Sequence, residues 1–345
     1  MSTVRALVYT VGLALGCLAG AGAALAAGAA VATYGSQDVS SYGPGPRSFT
    51  VETVKAVEHK SVQPRKRLRR NSLSVASKSG LRETPDPLEL SSSVAYMVDQ
   101  DTGEVYFEKN AYIQLPIASV TKLMTALVIA QSELPLKTKL KVTRADYVKS
   151  TADSKLRSGM VLTREDTLRA ALMSSDNRAA HMLARTYPGG VKVFVEKMNE
   201  TARELGMHDS HFTDPTGLSN ENVSTAHDLA ILAARVHEYP FLAKASTGAV
   251  ALINTGASKV SLMTTNRLIG DPRWKVGLQK TGYTRAAGRC MVVQSEFAGH
   301  RVVMVVLDSE TNGKRANDML KMRRWLEDEV RFEDQFANVA PFALM

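Results

Sequence analysis

Six apolar residues in a row, Val302-Val303-Met304-Val305-Val306-Leu307, set the first constraint on the fold. A strand with one wet face alternates apolar and polar side chains, so an unbroken run predicts a strand buried on both faces. Neighbouring strands are expected near 276–283 and 289–295, with this one at 301–307. Far upstream, Val94, Tyr96 and Val98 alternate with smaller or polar residues. Asp101-Thr102-Gly103 then turns the chain into Val105-Tyr106-Phe107, a β-hairpin pattern. Helical stretches lie between the two sets. One runs from Thr121 to Ala130. Thr163, with Asp166 three residues on, caps another through Met173. A third covers 190–205 and stops at Gly206. Ser224 or Thr225 caps a fourth, which reaches His237 before Pro240, and 316–330 closes the chain. Strands at both ends with helices between them predict an α+β domain, its terminal strands meeting in one antiparallel sheet flanked by helices.

The first ninety residues have another texture. Arg5 precedes an Ala/Gly/Leu-rich stretch from about Ala6 to Ala32, with A-x-A sites at Ala24-Leu25-Ala26 and Ala30-Val31-Ala32. This is the pattern of a secretory signal over residues 1–32. An uncleaved anchor is the alternative, because the run is long enough to span a bilayer. A lipid attachment at Cys17 is poorly supported, since Ala14 stands where a lipobox has leucine. Residues 33–88, rich in Ser, Pro, Gly and basic side chains, are expected to form a disordered or extended linker. The folded domain is then 89–345.

The net charge of +9 is unevenly placed. Residues 60–82 hold eight basic side chains and no acid. A nucleic-acid-binding domain spreads such charge over a folded face, so no nucleic-acid partner is expected. The bland reading of the run is a solvated linker. Its functional alternative is weak contact with anionic envelope polymers or a membrane surface. Once the signal is removed, Cys290 is the sole cysteine, inside the apolar Arg289-Cys290-Met291-Val292-Val293, and reads as a small core residue. No C-x-x-C or H-E-x-x-H segment is present, and His208 and His211 lack a third ligand, so neither metal nor cofactor is expected. His181 and His227 fall in helices and read as packing or surface residues.

Three short motifs carry chemistry. In Ser119-Val120-Thr121-Lys122, a serine and a lysine three apart share a face if a helix starts there. The hydroxyl is a weak nucleophile until a base takes its proton, and a lysine serves once burial or a second cation lowers its pKa. Ser175-Asp176-Asn177 follows a helix, and its Ser and Asn can point into one cleft, Ser175 as a proton relay and Asn177 as an amide contact. Lys280-Thr281-Gly282 falls on an expected strand, where an edge can take an extended peptide and the glycine permits close approach. Each motif alone has an ordinary reading as a cap or strand end. Together, 56 and 105 residues apart, they are specific.

This ordered set resembles that of penicillin-binding proteins and serine β-lactamases. The words around it are similar to the low-molecular-mass penicillin-binding proteins, the D-alanyl-D-alanine carboxypeptidase/endopeptidase family. They are Pro116-Ile117-Ala118 through Ala126, Asp214-Pro215-Thr216-Gly217-Leu218, and Lys280 to Thr284 followed by Ala287-Gly288. Within the family, Asn222-Val223-Ser224-Thr225-Ala226 and Ser175 to Ala180 look most like the periplasmic D-alanyl-D-alanine endopeptidases. The likeness covers about residues 90–330. It implies a β-lactamase/transpeptidase-like fold, a periplasmic location, peptidoglycan peptides as substrates and β-lactams as covalent inhibitors. It also implies Ser119 as the acylated nucleophile, Lys122 as its base, and Ser175 and Asn177 as relay and substrate contact. Lys280, Thr281 and Gly282 would line the cleft, with the backbone N–H groups of Ser119 and Tyr283 as oxyanion hole. Arg315, ten residues before Trp325, would meet a terminal carboxylate.

Three rivals frame this expectation. A carboxypeptidase trimming stem pentapeptides would use the same residues. A class A β-lactamase would need an E-x-x-L-N segment that residues 204–218 lack. A non-catalytic envelope-binding protein would leave the three motifs without a purpose.

Overall fold

The computed structural model describes residues 73–337 apart from Thr151, Ala257 and Ala298, with side chains to residue 328. The expected signal, Cys17 and the basic side chains at 60–70 lie outside the described residues. The first elements are a short helix α1 (Val75–Lys78), a hairpin of β1 (Val94–Asp99) and β2 (Val105–Lys109), strand β3 (Leu115–Pro116) and helix α2 (Lys122–Gln131). Strands β4 (Lys139–Lys141) and β5 (Val161–Thr163) pair, ahead of helices α3 (Arg164–Met173), α4 (Asn177–Arg185) and α5 (Gly190–Glu204). Strand β6 (Val223–Ser224) pairs back on β3 before α6 (Ala226–His237) and α7 (Pro240–Thr247). A hairpin of β7 (Val250–Asn254) and β8 (Lys259–Met263) follows. The chain ends on the meander β9 (Lys275–Thr284), β10 (Gly288–Phe297) and β11 (His300–Ser309), then helix α8 (Asn312–Ala337).

The main sheet has the order β2-β1-β11-β10-β9, with every pair antiparallel. The last strand therefore lies against the first hairpin, Val94 opposite Leu307 and Asp99 opposite Val302. This is the α+β arrangement that the apolar run required. All six of its side chains are fully buried. Val303, Val305 and Leu307 enter a core shared with α2, α3, α4 and α6, while Val302, Met304 and Val306 meet Met319, Met322 and Leu326 of α8. Each such burial stabilises by about 1.5–3 kcal/mol before the entropy of ordering is counted. Cys290 is among the buried residues, and burial pushes its thiol pKa up to about 12.

The helix starts follow their caps. Thr163 Oγ1 accepts from Asp166 N and Thr225 Oγ1 from Asp228 N, each at 3.0 Å. The linker, by contrast, ends earlier than expected. Residues from Ser74 onward belong to the fold, not to a tether reaching 88. Ser77 Oγ donates to Asp308 Oδ2 at 2.7 Å, and Arg82 pairs with the same carboxylate at 3.0 Å. Asp86 binds Lys109 Nζ at 2.8 Å with both side chains nearly buried. Ala76 enters the main core. These partners lie up to 231 positions away in sequence, so the strap formed by residues 74–90 has no local periodicity to betray it.

Candidate active site

Residues Ala118–Thr121 form a single 3-10 turn that runs directly into α2. Residues three apart eclipse in such a turn, so Ser119 and Lys122 align more closely than on an α-helix. Ala118 sits at φ +49°, a left-handed conformation uncommon outside glycine. The loop around Gly217 is wedged behind it. Gly217 has φ +80°, and a Cβ there would stand 1.9 Å from Ala118 O. Asp214 shapes that loop: its carboxylate accepts from the backbone N of Thr216, Gly217 and Ser219. Asn222 Nδ2 ties it to the turn by donating to Thr121 Oγ1 at 3.2 Å and Asp214 O at 2.8 Å. The outcome is a carbonyl, Thr216 O, aimed at Lys122.

Lys122 is fully buried. Its Nζ donates to Ser119 Oγ at 2.8 Å, Asn177 Oδ1 at 2.8 Å and Thr216 O at 2.6 Å. Burial pulls its pKa down to about 7, against the opposing pull of the Asp214 and Asp176 carboxylates. The three partners are chemically unequal. Two are pure acceptors, and only the Ser119 hydroxyl can also donate. A neutral lysine satisfies both acceptors with its two N–H groups, and its lone pair then faces the Ser119 proton.

Ser175 and Asn177 flank the start of α4. Asp176 is the N-cap, its Oδ1 accepting from Ala179 N at 3.0 Å. The capping role therefore falls on the middle residue and leaves its neighbours to the cleft. Ser175, at φ +60°, accepts from Lys280 Nζ at 2.9 Å. Asn177 Nδ2 donates to Ser150 Oγ at 3.0 Å, which orients its oxygen toward Lys122.

Strand β9 forms the facing wall. Lys280 is fully buried and also donates to Thr281 O at 2.6 Å. Burial, then the Lys122 and Arg315 cations, hold its pKa well below the usual lysine range. Thr281 Oγ1 lies 2.6 Å from Thr265 Oγ1. A Cβ on Gly282 would lie 3.0 Å from Ile117 O and 3.1 Å from Ser119 N, so any side chain there would press the strand away from the turn by a few tenths of an ångström. Tyr283 is exposed at the rim, its ring centroid 4.5 Å from the Arg289 guanidinium. Arg315, in the first turn of α8, is 6% exposed and donates to Cys290 O at 3.2 Å, and burial lowers its pKa to about 10. Ser119, Ser175, Asn177, Thr281, Gly282 and Arg315 all line one cleft of about 550 Å³.

The fold thus brings the residues of the three motifs together with Tyr283 and Arg315 around one cleft. Lys122 and Lys280 stand behind the cleft surface, and the serines and Asn177 in front of them. The roles of Thr216, Gly217, Asn222, Thr265 and Ser150 were not anticipated. The Asp-x-Thr-Gly string hinted at a side-chain-stabilised turn, whereas nothing in the sequence pairs Thr265 with Thr281. The histidines stand apart from this cleft: His181 Nδ1 lies 3.4 Å from Asp146, His227 packs on Tyr112 and Tyr96, and the backbone of His211 bridges to Val223.

The sequence profile of the D-alanyl-D-alanine carboxypeptidase family matches residues 81–311. The chain belongs to this family. Its members are D-alanyl-D-alanine peptidases of peptidoglycan, hydrolases of the bacterial cell wall. Among curated relatives, the D-alanyl-D-alanine endopeptidase of Pseudomonas aeruginosa is 40% identical over 259 residues, covering 74% of this chain and 83% of the relative. That of Escherichia coli is 38% identical over 255 residues, covering 73% and 82%. Among solved structures, penicillin-binding protein D2 of Listeria monocytogenes, in its ampicillin-bound form, is 30% identical with a TM-score of 0.62, covering 70% of this chain and 99% of that one. A mutant of the Streptomyces K15 DD-transpeptidase is 28% identical with a TM-score of 0.63, covering 68% and 97%. The fold of the family is therefore the penicillin-binding protein/transpeptidase fold, and this chain has it.

Proposed function

We propose that the protein is an exported, periplasmic serine-type D-alanyl-D-alanine endopeptidase that cleaves peptide crosslinks of peptidoglycan. The observation that carries this reading is the buried Lys122 amine, bonded to Ser119 Oγ between two pure acceptors. Ser119 Oγ attacks the D-alanyl carbonyl carbon while its proton passes to Lys122 Nζ. The oxyanion is stabilised by the N–H groups of Ser119 and Tyr283. Collapse breaks the C–N bond, and the leaving amine takes a proton relayed through Ser175. Water then attacks the Ser119 ester, giving up a proton to Lys122, and the acid is released with the hydroxyl restored. A β-lactam enters the same first step, its ring amide being the bond that breaks, and leaves a covalent adduct on Ser119. Lys280 polarises Ser175, and Thr281 and Arg315 offer donors to a substrate carboxylate.

The preference for crosslinks rests on the two relatives above, both named endopeptidases. A Bacillus subtilis relative at 33% identity is named a carboxypeptidase, and the same residues would serve that activity. Purified crosslinked muropeptide dimers and pentapeptide monomers, offered separately, distinguish the two. Faster conversion of dimers to monomers is expected, with Ser119→Ala inactive on both. Release of D-alanine from monomers with dimers untouched would assign the carboxypeptidase activity instead.

A further inference from the structure

The lining of the active-site cleft carries charge of one sign. Lys149, Arg285 and Arg315 contribute to it, and among the described residues no Asp or Glu does. Arg315 is nearly buried and gives an N–H to Cys290 O. Lys149 and Arg285 are exposed and have no hydrogen-bond or ion-pair partner among the described residues. Lone exposed cations are ordinary. What distinguishes these two is how firmly the backbone beneath each is held.

Arg285 sits in the turn between β9 and β10. Ala286 O accepts from Val75 N of the strap at 2.9 Å, and Ala287 N donates to Thr284 Oγ1 at 3.1 Å. Gly288 packs so closely on Asp308 that a Cβ there would stand 2.0 Å from its Oδ1. The neighbouring arginines are spent. Arg289 donates to Asn312 Oδ1 and Glu310 O and lies over the Tyr283 ring, while Arg82 pairs with Asp308 and Glu310. Of these three, only Arg285 keeps its guanidinium for the cleft. Lys149 lies on the opposite wall, in the segment between β4 and β5. Beside it, Ser150 Oγ accepts from Asn177 Nδ2 at 3.0 Å and from Ala152 N at 3.1 Å. On its other side, the Arg178 guanidinium lies 5.4 Å from the Tyr147 ring centroid. Each wall thus presents one uncommitted cation on anchored backbone.

The reaction proposed above uses only one of the three lining cations, Arg315, which with Thr281 offers donors to the carboxylate beside the scissile bond. A pentapeptide releases a single D-alanine, and that pair accounts for its one carboxylate. A crosslink releases a second stem peptide, which has further carboxylates along its length. We infer that, in the crosslink cleavage proposed above and on which this rests, Lys149 and Arg285 are specificity residues that receive those additional carboxylates, one on each lip of the cleft. An exposed charge pair contributes roughly two- to fivefold in affinity. Each residue alone therefore adjusts the rate, and the two together set the preference between substrates. Neither bonds to Ser119, Lys122 or Ser175, so the effect falls on KM and not on kcat.

The test compares the parent with Arg285→Gln, Lys149→Gln, the double variant and Arg285→Lys, each confirmed as folded by thermal unfolding. Both kcat and KM are measured at low salt, where exposed charges are least screened. The substrates are a soluble crosslinked muropeptide dimer, a pentapeptide monomer, and a synthetic dimer whose released stem carries amides in place of every carboxylate except the one beside the scissile bond. Each single Gln variant should lose roughly threefold in kcat/KM on the dimer, and the double variant roughly tenfold, through KM. The loss on the pentapeptide should stay below about twofold. The parent should cleave the amidated dimer about tenfold less efficiently than the native one, whereas the double variant should not tell the two apart. Arg285→Lys should recover most of what Arg285→Gln loses. A double variant as efficient as the parent on the native dimer would overturn the inference alone. So would an equal loss on dimer and pentapeptide, which marks general attraction of anions or a distorted cleft. Amidation that costs the double variant as much as the parent would overturn it too. A parent that reacts with penicillin and trims the pentapeptide but leaves the dimer intact would remove the crosslink reading itself, and this role with it.

Discussion

Lys122 and Lys280 are both fully buried, and each ends on a serine hydroxyl: Lys122 Nζ is 2.8 Å from Ser119 Oγ, Lys280 Nζ 2.9 Å from Ser175 Oγ. Neither forms an ion pair with a carboxylate among the described residues. Burying an unpaired ammonium is costly, and the cost falls as the group loses its proton. The site therefore holds amines poised to be neutral, which is the state a base requires.

The pH dependence follows from that. Lys122 titrates at about 7. Acylation needs the free amine, so the penicillin acylation rate should fall about tenfold per unit below pH 7 and level off above it. Stability moves the same way. The unfolded lysine has a pKa of about 10.4, so between pH 7 and that value the unfolded chain binds the extra proton and stability rises with pH. Stopped-flow acylation and urea denaturation across pH 5.5–9 check both. A rate that is flat below pH 7 would contradict the role of Lys122.

Asn177→Asp places a carboxylate where Oδ1 now accepts from Lys122. An anion at that distance raises a neighbouring lysine pKa by roughly 1–3 units. The midpoint of the acylation profile should shift alkaline by that amount, with the rate at pH 7 down at least about fivefold. A loss of rate with an unmoved midpoint would show that Asn177 does not act through Lys122.

Gly217→Ala should be severe although it adds one carbon. The residue is at φ +80°, and the new Cβ would meet the backbone oxygen of Ala118, which has no flexible end to move. A destabilisation of roughly 2–4 kcal/mol is expected, together with slower acylation as the Ser119 turn shifts. Thermal unfolding and acylation kinetics on the same sample measure both. Gly206→Ala is the control, having positive φ with open space around it.

Asp308→Ala should release the strap. It removes the acceptor of Ser77, Ser93 and Arg82 and leaves a partly buried guanidinium with a weaker partner. With Arg82 partly exposed and still paired with Glu310, losing these bonds costs about 1–3 kcal/mol. Hydrogen exchange at residues 75–83 should rise well above that of β11. Unchanged protection there would mean that other contacts hold the strap.

Much of this was legible in the sequence because the signals are local. The apolar run of β11, the caps at Thr163 and Thr225 and the glycine ending α5 each act within a few residues. The three motifs were legible as words, and their meeting rests on the fold that those local signals specify. The rest depends on pairings far apart in the chain. Thr216 O reaches Lys122 across 94 positions, and Thr265 meets Thr281 only because the β7–β8 hairpin delivers it. The strap is the clearest case: a few polar residues in a basic, proline-containing stretch gave no pattern, yet Asp308 and Lys109 supply the partners that order it.

The central claim is that Ser119 is the acylated nucleophile. Intact-mass and peptide-mass analysis after incubation with a penicillin tests it directly, on the parent and on Ser119→Ala confirmed as folded by thermal unfolding. One adduct per chain on the peptide containing Ser119, absent from the variant, is expected. An adduct that persists in Ser119→Ala, or that maps to another residue in the parent, would contradict it.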